Sequence, residues 1–159
     1  MPFEKVVQDH GATVLRVCRA LLGRHDADDV WSETFLAALR AYPARPPEVN
    51  PRAWLITIAH NKAIDHMRRA SRSPVPTGTL PDVAADDTAP EPLGDELRRA
   101  LEALAPKQRG AVVLHHVAGL RYAEVGVALD CSEAAARRSA ADGIARLRTI
   151  VGVERAEET

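Results

Sequence analysis

The stretch NPRAWLITIAHNKAIDHMRRASR, Asn50 to Arg72, is the one from which the rest of the chain is best read. Asn50 can cap a helix. Pro51 suits the first helical position, where its missing N–H would have no partner in any case. An apolar block of Trp54, Leu55, Ile56, Ile58 and Ala59 gives way to the polar His60, Asn61 and Lys62. The helix then runs out into Arg68, Arg69 and Arg72. With Arg52 and Lys62 these are five positive charges against Asp65 alone, a local +4 in a chain whose total is −1. A helix that is apolar at one end and basic and amide-bearing at the other suits a surface lying on nucleic acid. A core helix with a solvated tail fits this stretch equally well.

On the N-terminal side, Phe3, Val6, Val7, Val14, Val17, Cys18, Leu21 and Leu22 recur near helical spacing, with Gly11 as the weak point. Gly23 is expected to end that helix and Asp26 to cap the next, Ala27 to Arg40, with Asp28 and Asp29 in its first turn, where the helix dipole favours negative charge. Trp31, Phe35, Ala38, Leu39 and Tyr42 fall along one side of this second helix. Asp28, Ser32, Glu33 and Arg40 remain for the other. Pro43, Pro46 and Pro47 break it.

On the C-terminal side, Ser73 to Pro92 carries five prolines and four acidic residues and no basic one, for a charge of −4. Such a segment cannot bury enough apolar area to offset its ordering entropy, and it reads as a flexible acidic linker. Helical patterning then resumes. Leu93, Leu97, Ala100, Leu101 and Leu104 share a face, and Pro106 opens a helix that reaches Val117 and stops at Gly119. Tyr122 to Leu129 reads as a short helix with Val125 and Leu129 inward. Asp130 and Cys131 read as a tight turn, and Ser132 as the cap of a last helix running to about Ile150. The remaining tail is expected to fray.

The fold expected is therefore all-α. Two small helical domains, 1–72 and 93–151, are joined by the linker 73–92 and followed by a tail, 152–159. An aromatic content of only 4% within a hydrophobic content of 46% agrees with helices rather than sheets. Cys18 and Cys131 match no metal-ligand spacing and read as buried, reduced thiols. His115 and His116 are adjacent, so they point about 100° apart on a helix and do not make a metal pair. No nucleophile–base pair, paired catalytic carboxylates or glycine-rich phosphate loop stands out. No enzyme activity, cofactor or metal is expected. With no signal peptide and no apolar run of membrane length, a cytoplasmic location and no membrane partner are expected.

A short helix, a tight turn and a Ser-capped longer helix form the layout of a helix-turn-helix, whose second helix enters the major groove by its N-terminal half. That half offers Arg137, Arg138 and Ser139. Arg can read guanine bidentately or hold phosphate. Ala134, Ala135, Ala136, Ala140 and Ala141 would keep the helix slim enough to sit deep in the groove.

The order of three motifs, DADDVWSETFLAALRAY, then AWLITIAHNKAIDHMRR, then, beyond the linker, LEALAPKQRGAVVLHHVAGLRYAEVGVALDCSEAAARRS, resembles a bacterial RNA polymerase sigma factor. It is similar to the extracytoplasmic-function (ECF) subgroup of the sigma-70 class, which keeps only regions 2 and 4. The resemblance implies a protein that binds core polymerase, directs it to promoters and promotes initiation. It places Asp26 to Arg40 on the helix that docks on the β′ clamp helices, with Asp28, Asp29, Ser32, Glu33, Leu36 and Arg40 as the docking residues. Ser32 stands where the family often has Gln. Phe35 falls on the pattern too, and reads as core. Asn61 falls on the position that lines the pocket for a flipped-out base of the −10 element, with Lys62, Arg68 and Arg69 holding phosphates of the opened strand. Flipping costs a few kcal/mol, which amide contacts help to offset.

In the second half the resemblance assigns Arg137, Arg138 and Ser139 to the −35 element and Arg146 and Arg148 to flanking phosphates. It implies core polymerase, through its β′ clamp helices and β flap, promoter DNA and an anti-sigma factor as partners. The chain departs from the family at Ala140 to Ile144, where further basic residues are usual. Asp142 would repel phosphate there, and mid-helix Gly143 costs about 1 kcal/mol relative to Ala. Arg121 replaces the usual polar cap. A different −35 sequence or a weaker contact is expected. Two rival readings are a helix-turn-helix regulator that works without polymerase and a helical protein–protein adaptor.

Overall fold

A computed structural model describes residues 2–72 and 94–157. The expected linker, Leu93 and the last two residues lie outside the described residues. Every regular element among the described residues is a helix, and none is a strand.

The first unit has three helices: α1 (Phe3–Leu21), α2 (Arg24–Ala41) and α3 (Pro51–Arg72), with a short 3-10 turn at Tyr42–Ala44 after α2. Each of the three packs on the other two. Val6, Val14, Val17, Val30, Leu55 and Ile56 fill the middle and are fully buried. Five of the chain's six aromatic residues line this unit. Phe3 meets Phe35 and Tyr42 edge-on at 6.4 and 5.4 Å, Trp31 lies 4.6 Å from Phe35, and Tyr42 lies 6.3 Å from Trp54. Gly11 is no weak point. Its carbonyl accepts the Trp31 indole N–H at 2.9 Å, with the ring lying across the helix beside it.

One boundary and one buried face differ from expectation. α2 begins at Arg24 with Gly23 in the cap position, so Asp26 sits inside the first turn, its carboxylate 3.2 Å from His66 Nε2 of α3, instead of capping. The apolar stripe of α2 runs through Ala27, Val30, Thr34, Phe35 and Ala38. Leu39, expected inward, is therefore 53% exposed. α3 matches its reading. The Asn50 side-chain oxygen accepts the Arg52 N–H at 2.9 Å, and Pro51 opens the helix.

The second unit comprises α4 (Asp95–Glu102), α5 (Pro106–Val112), a π turn (Val113–Val117) continuing α5, α6 (Tyr122–Leu129) and α7 (Glu133–Glu157). Gly119 at φ 74° leaves the π turn, and Asp130 at φ 57° makes the sharp corner between α6 and α7. Leu101 and Leu104 are buried, while Leu97, expected on their face, is 39% exposed. The Arg109 guanidinium donates to the carbonyls of Leu101, Glu102 and Leu104 and so closes the end of α4 on α5. α7 runs well past Ile150, so the helix takes in most of the tail expected to fray.

α7 packs closely on α5 and α6. Ala136 and Ala140 are fully buried in that contact, so their small size serves the core and not a groove of DNA. Gly143 belongs to the same seam. A Cβ there would lie 2.6 Å from Val112 Cγ2 and 3.2 Å from the Gln108 carbonyl, so the closeness of α7 to α5 requires glycine. The cost read from helix propensity alone is set against that packing.

The two units touch. α1 packs on α4 and on the π turn, and α3 meets α6. Arg52 donates to the Gly119 carbonyl at 3.3 Å, and Arg109 reaches Met67 Sδ at 3.8 Å. His60 of α3 lies against Gly110 of α5, where a Cβ would stand 3.4 Å from the imidazole Nε2.

Candidate nucleic-acid and partner surfaces

α3 carries the first candidate surface. Seven residues make nearly two turns, so Asn61 and Arg68 lie about 20° apart on the helix, as do Lys62 and Arg69 on the adjoining face. Asn61, Arg68 and Arg69 are exposed and Lys62 is half-buried. Asn61, Asp65 and Arg68 line a cavity of about 510 Å³ whose opposite wall includes Lys107 and Asp130 of the second unit. The polar break read at His60 to Lys62 is only partly a surface. His60 is 8% exposed, and its Nδ1 is buried with no partner among the described residues. Burial holds its pKa below the usual histidine value, against a smaller upward pull from Asn61. Its sequence surroundings gave no sign of this, because the neighbour that covers it, Gly110, is fifty residues away.

α2 carries the second surface. Asp28, Asp29, Ser32, Leu36 and Arg40 are exposed and Glu33 is half-buried. Leu36 and Leu39 stand 55% and 53% exposed in the midst of these charges. An apolar pair rimmed by charge is the composition of a docking patch. Leu39 was missed because it was assigned to the core face. Phe35 is buried, as read.

α7 carries the third. The Ser132 hydroxyl accepts the Ala135 N–H at 3.0 Å and so caps the helix. Glu124 takes over the role of the absent cap on α6, its carboxylate accepting the Arg121 N–H at 3.0 Å. Arg137 and Arg138 are exposed in the first turns of α7 and Ser139 is half-buried. Arg137 donates to Glu133 at 3.1 Å and lies over the Tyr122 ring at 5.1 Å. Arg146 is exposed too, but nine residues from Arg137 is half a turn round the helix, so the two sit on opposite flanks. Exposed Asp142 falls between Arg138 and Arg146. Arg137 and Arg138 thus share the start of α7 about 100° apart, and Arg146 lies two turns further along on the side of Arg138.

Among the described residues no group of three His, Cys, Asp or Glu side chains could hold a metal, and no helix is long and apolar enough to cross a membrane.

Three helices packed as a bundle, followed by a unit ending in a capped helix-turn-helix, define a two-part helical DNA-binding architecture. Two family models match these parts: Sigma-70 region 2 over residues 6–73 and Sigma-70, region 4, over residues 94–147. The chain is 35% identical over 138 residues to the ECF RNA polymerase sigma factor SigE of Mycolicibacterium smegmatis, covering 80% of this chain and 52% of that protein. It is 37% identical over 131 residues to the RNA polymerase sigma factor CarQ of Myxococcus xanthus, covering 79% and 75%. Its fold is similar to that of the sigma factor RpoE of Bartonella quintana, solved with the anti-sigma factor NepR, at a TM-score of 0.76 and 20% identity over 95% of this chain and 97% of that one. The chain belongs to the sigma-70 family of RNA polymerase sigma factors, in its extracytoplasmic-function group. It spans about half the length of the SigE relative and three quarters of CarQ.

Proposed function

We propose that the chain is a promoter-specificity subunit that docks on core RNA polymerase through α2 and reads two promoter elements with its two units. The observation that carries this reading is the division of exposed groups among three helices. α2 presents acidic residues around Leu36 and Leu39, α3 presents Asn61 with Arg68, and α7 presents Arg137 with Arg138. Acidic residues around an apolar pair suit the basic β′ clamp helices. The Asn61 amide, which both donates and accepts, suits the edge of an unpaired −10 base, with Lys62, Arg68 and Arg69 on the strand's phosphates. Arg137, Arg138 and Ser139 suit the duplex −35 element, and Arg146 a phosphate beside it.

The factor acts in the cytoplasm and performs no chemistry of its own; the polymerase supplies catalysis. A second partner is an anti-sigma factor, since a structural neighbour was solved with one. Run-off transcription by core enzyme and the full chain across a randomised promoter library tests the reading. Enrichment of two sequence elements supports it. Failure of the full chain to retain core polymerase in a pull-down, with promoter DNA still bound, would establish a regulator that works without polymerase. Salt-insensitive failure to engage any promoter with core enzyme present would leave an adaptor.

A further inference from the structure

Tyr122 is the chain's sixth aromatic residue and the only one outside the first unit. It opens α6, next to the corner from which the π turn leads. The π turn is closed by the Ala118 N–H on the Val113 carbonyl at 3.0 Å, which adds a residue to the helix and sets the direction in which His115 leaves it. π turns of this kind are frequent at functional positions. His115 Nδ1 lies 2.8 Å from the Leu120 carbonyl, a hydrogen bond that fixes the ring. The Tyr122 ring stacks on that imidazole at 3.9 Å and 13°. The Arg137 guanidinium lies over the Tyr122 ring, 5.1 Å from its centroid, and also donates to Glu133 at 3.1 Å. An imidazole of the π turn, a tyrosine of α6 and an arginine of α7 thus form one column, closed at its end by a carboxylate.

We propose that Tyr122 is a positioning residue that holds Arg137 in one orientation for a base of the −35 element. This rests on the reading of α7 as the −35 surface. A long exposed arginine has many rotamers and can satisfy a phosphate from most of them, whereas a bidentate contact to a base edge needs the planar fork in one attitude. The guanidinium lies over the ring and Glu133 occupies one of its nitrogens, two contacts that together restrict its attitude. The remaining N–H donors then point one way. Arg138, its neighbour, has no such clamp among the described contacts and is suited to phosphate.

The test uses holoenzyme made from core polymerase and the full chain, carrying Arg137→Ala, Tyr122→Leu, Tyr122→Phe or the Tyr122→Leu/Arg137→Ala pair. Transcription is measured on promoters varied at each −35 position and over a range of salt. Tyr122→Leu is expected to flatten the base preference at the position that Arg137→Ala flattens, by about two- to fivefold, with an unchanged salt slope. Tyr122→Phe keeps the ring and should keep the preference. The double variant should be no worse than Arg137→Ala. In the free chain, the ring-current shift of the Arg137 side-chain protons should vanish in Tyr122→Leu and persist in Tyr122→Phe. That measurement and far-ultraviolet circular dichroism separate loss of the column from loss of fold.

An even drop of Tyr122→Leu across all −35 sequences, Tyr122→Phe as harmful as Tyr122→Leu, or additive effects in the double variant would overturn the proposal. If Arg137→Ala flattens a position and Tyr122→Leu does not, the clamp alone fails. If Arg137→Ala alters no preference, the assignment of Arg137 to the −35 element fails, and the clamp with it.

Discussion

The two helices proposed to face DNA are displayed in different ways. On α7, Arg137 and Arg138 are at the surface, while Ala136, Ala140 and Gly143 are turned into the core. The polar flank of α3 shares a cavity with the second unit. Asn61 and Arg68 look across it at Lys107 and Asp130, and His60, one residue from Asn61, is buried against Gly110. A base approaching Asn61 in this arrangement meets the other half of the same chain across the cavity, whereas Arg137 and Arg138 are exposed. Readiness to bind is therefore a property of how the units sit as much as of the side chains themselves.

The largest expected effect breaks the comparison from the α7 side. Gly143→Ala improves helix propensity but drives a methyl into Val112 and the Gln108 carbonyl. The chain should lose about 1–3 kcal/mol in urea unfolding, and −35-dependent transcription should fall with it. A gain in stability would show that α7 can move off α5 freely. From the α3 side, Asn61→Ala should cost on the order of 1–3 kcal/mol in open-complex formation and leave core binding intact. Undiminished transcription by the variant would remove Asn61 from the −10 site. A smaller change sharpens the picture. Asp142→Asn removes a negative charge lying between Arg138 and Arg146 and should raise −35 affinity by about 0.3–1 kcal/mol at low salt, less at high salt.

The smallest effect is one of pH. His60 has a lowered pKa in the packed chain and an ordinary one near 6.5 when exposed. The exposed form therefore takes up a proton at a pH where the packed form does not. Packing around His60 is fully favourable above about pH 6.5 and weakens as pH falls below it. The groups that face the imidazole do not reverse this, since Arg68, Lys107 and Arg109 outnumber Asp65 and Asp130 in the two cavities it lines. His60→Gln should flatten the acid side of the stability profile relative to the parent chain, as read by the urea midpoint between pH 7.5 and 5.5. An unchanged slope would assign the effect to His10 and His116, whose pKa values burial also lowers.

What the sequence carried was mostly local. Asn50 and Pro51 announced the start of α3, and Tyr122, Leu129 and Ser132 bounded the helix-turn-helix, because caps and breakers act within a turn of themselves. The misreadings were all questions of what lies opposite. Leu39 follows Phe35 by one turn and so reads as inward, but the buried stripe is centred on Ala27, Val30, Thr34 and Ala38, with Phe35 at its edge and Leu39 beyond it. Ala136, Ala140 and Gly143 were read for their slimness or their cost, and the reason for both is α5, about thirty residues earlier. His60 was read as polar surface, and Gly110 covers it. Candidate residues that share a helix, such as Asn61 and Arg68, could be grouped from spacing. The column of His115, Tyr122 and Arg137 could not, since it joins three elements across two turns.

The two cysteines have a use that their chemistry alone did not suggest. Cys18 is fully buried in the first unit, and burial, with Asp28 adding to it, pushes its thiol up to about 12. Cys131 stands half-buried at the corner between α6 and α7. At neutral pH an alkylating reagent therefore reaches Cys18 only through openings of the three-helix bundle, while it samples Cys131 directly. Labelling of Cys18 therefore times the opening of the first unit, and Cys131 serves as the reference within the same chain, without any added probe.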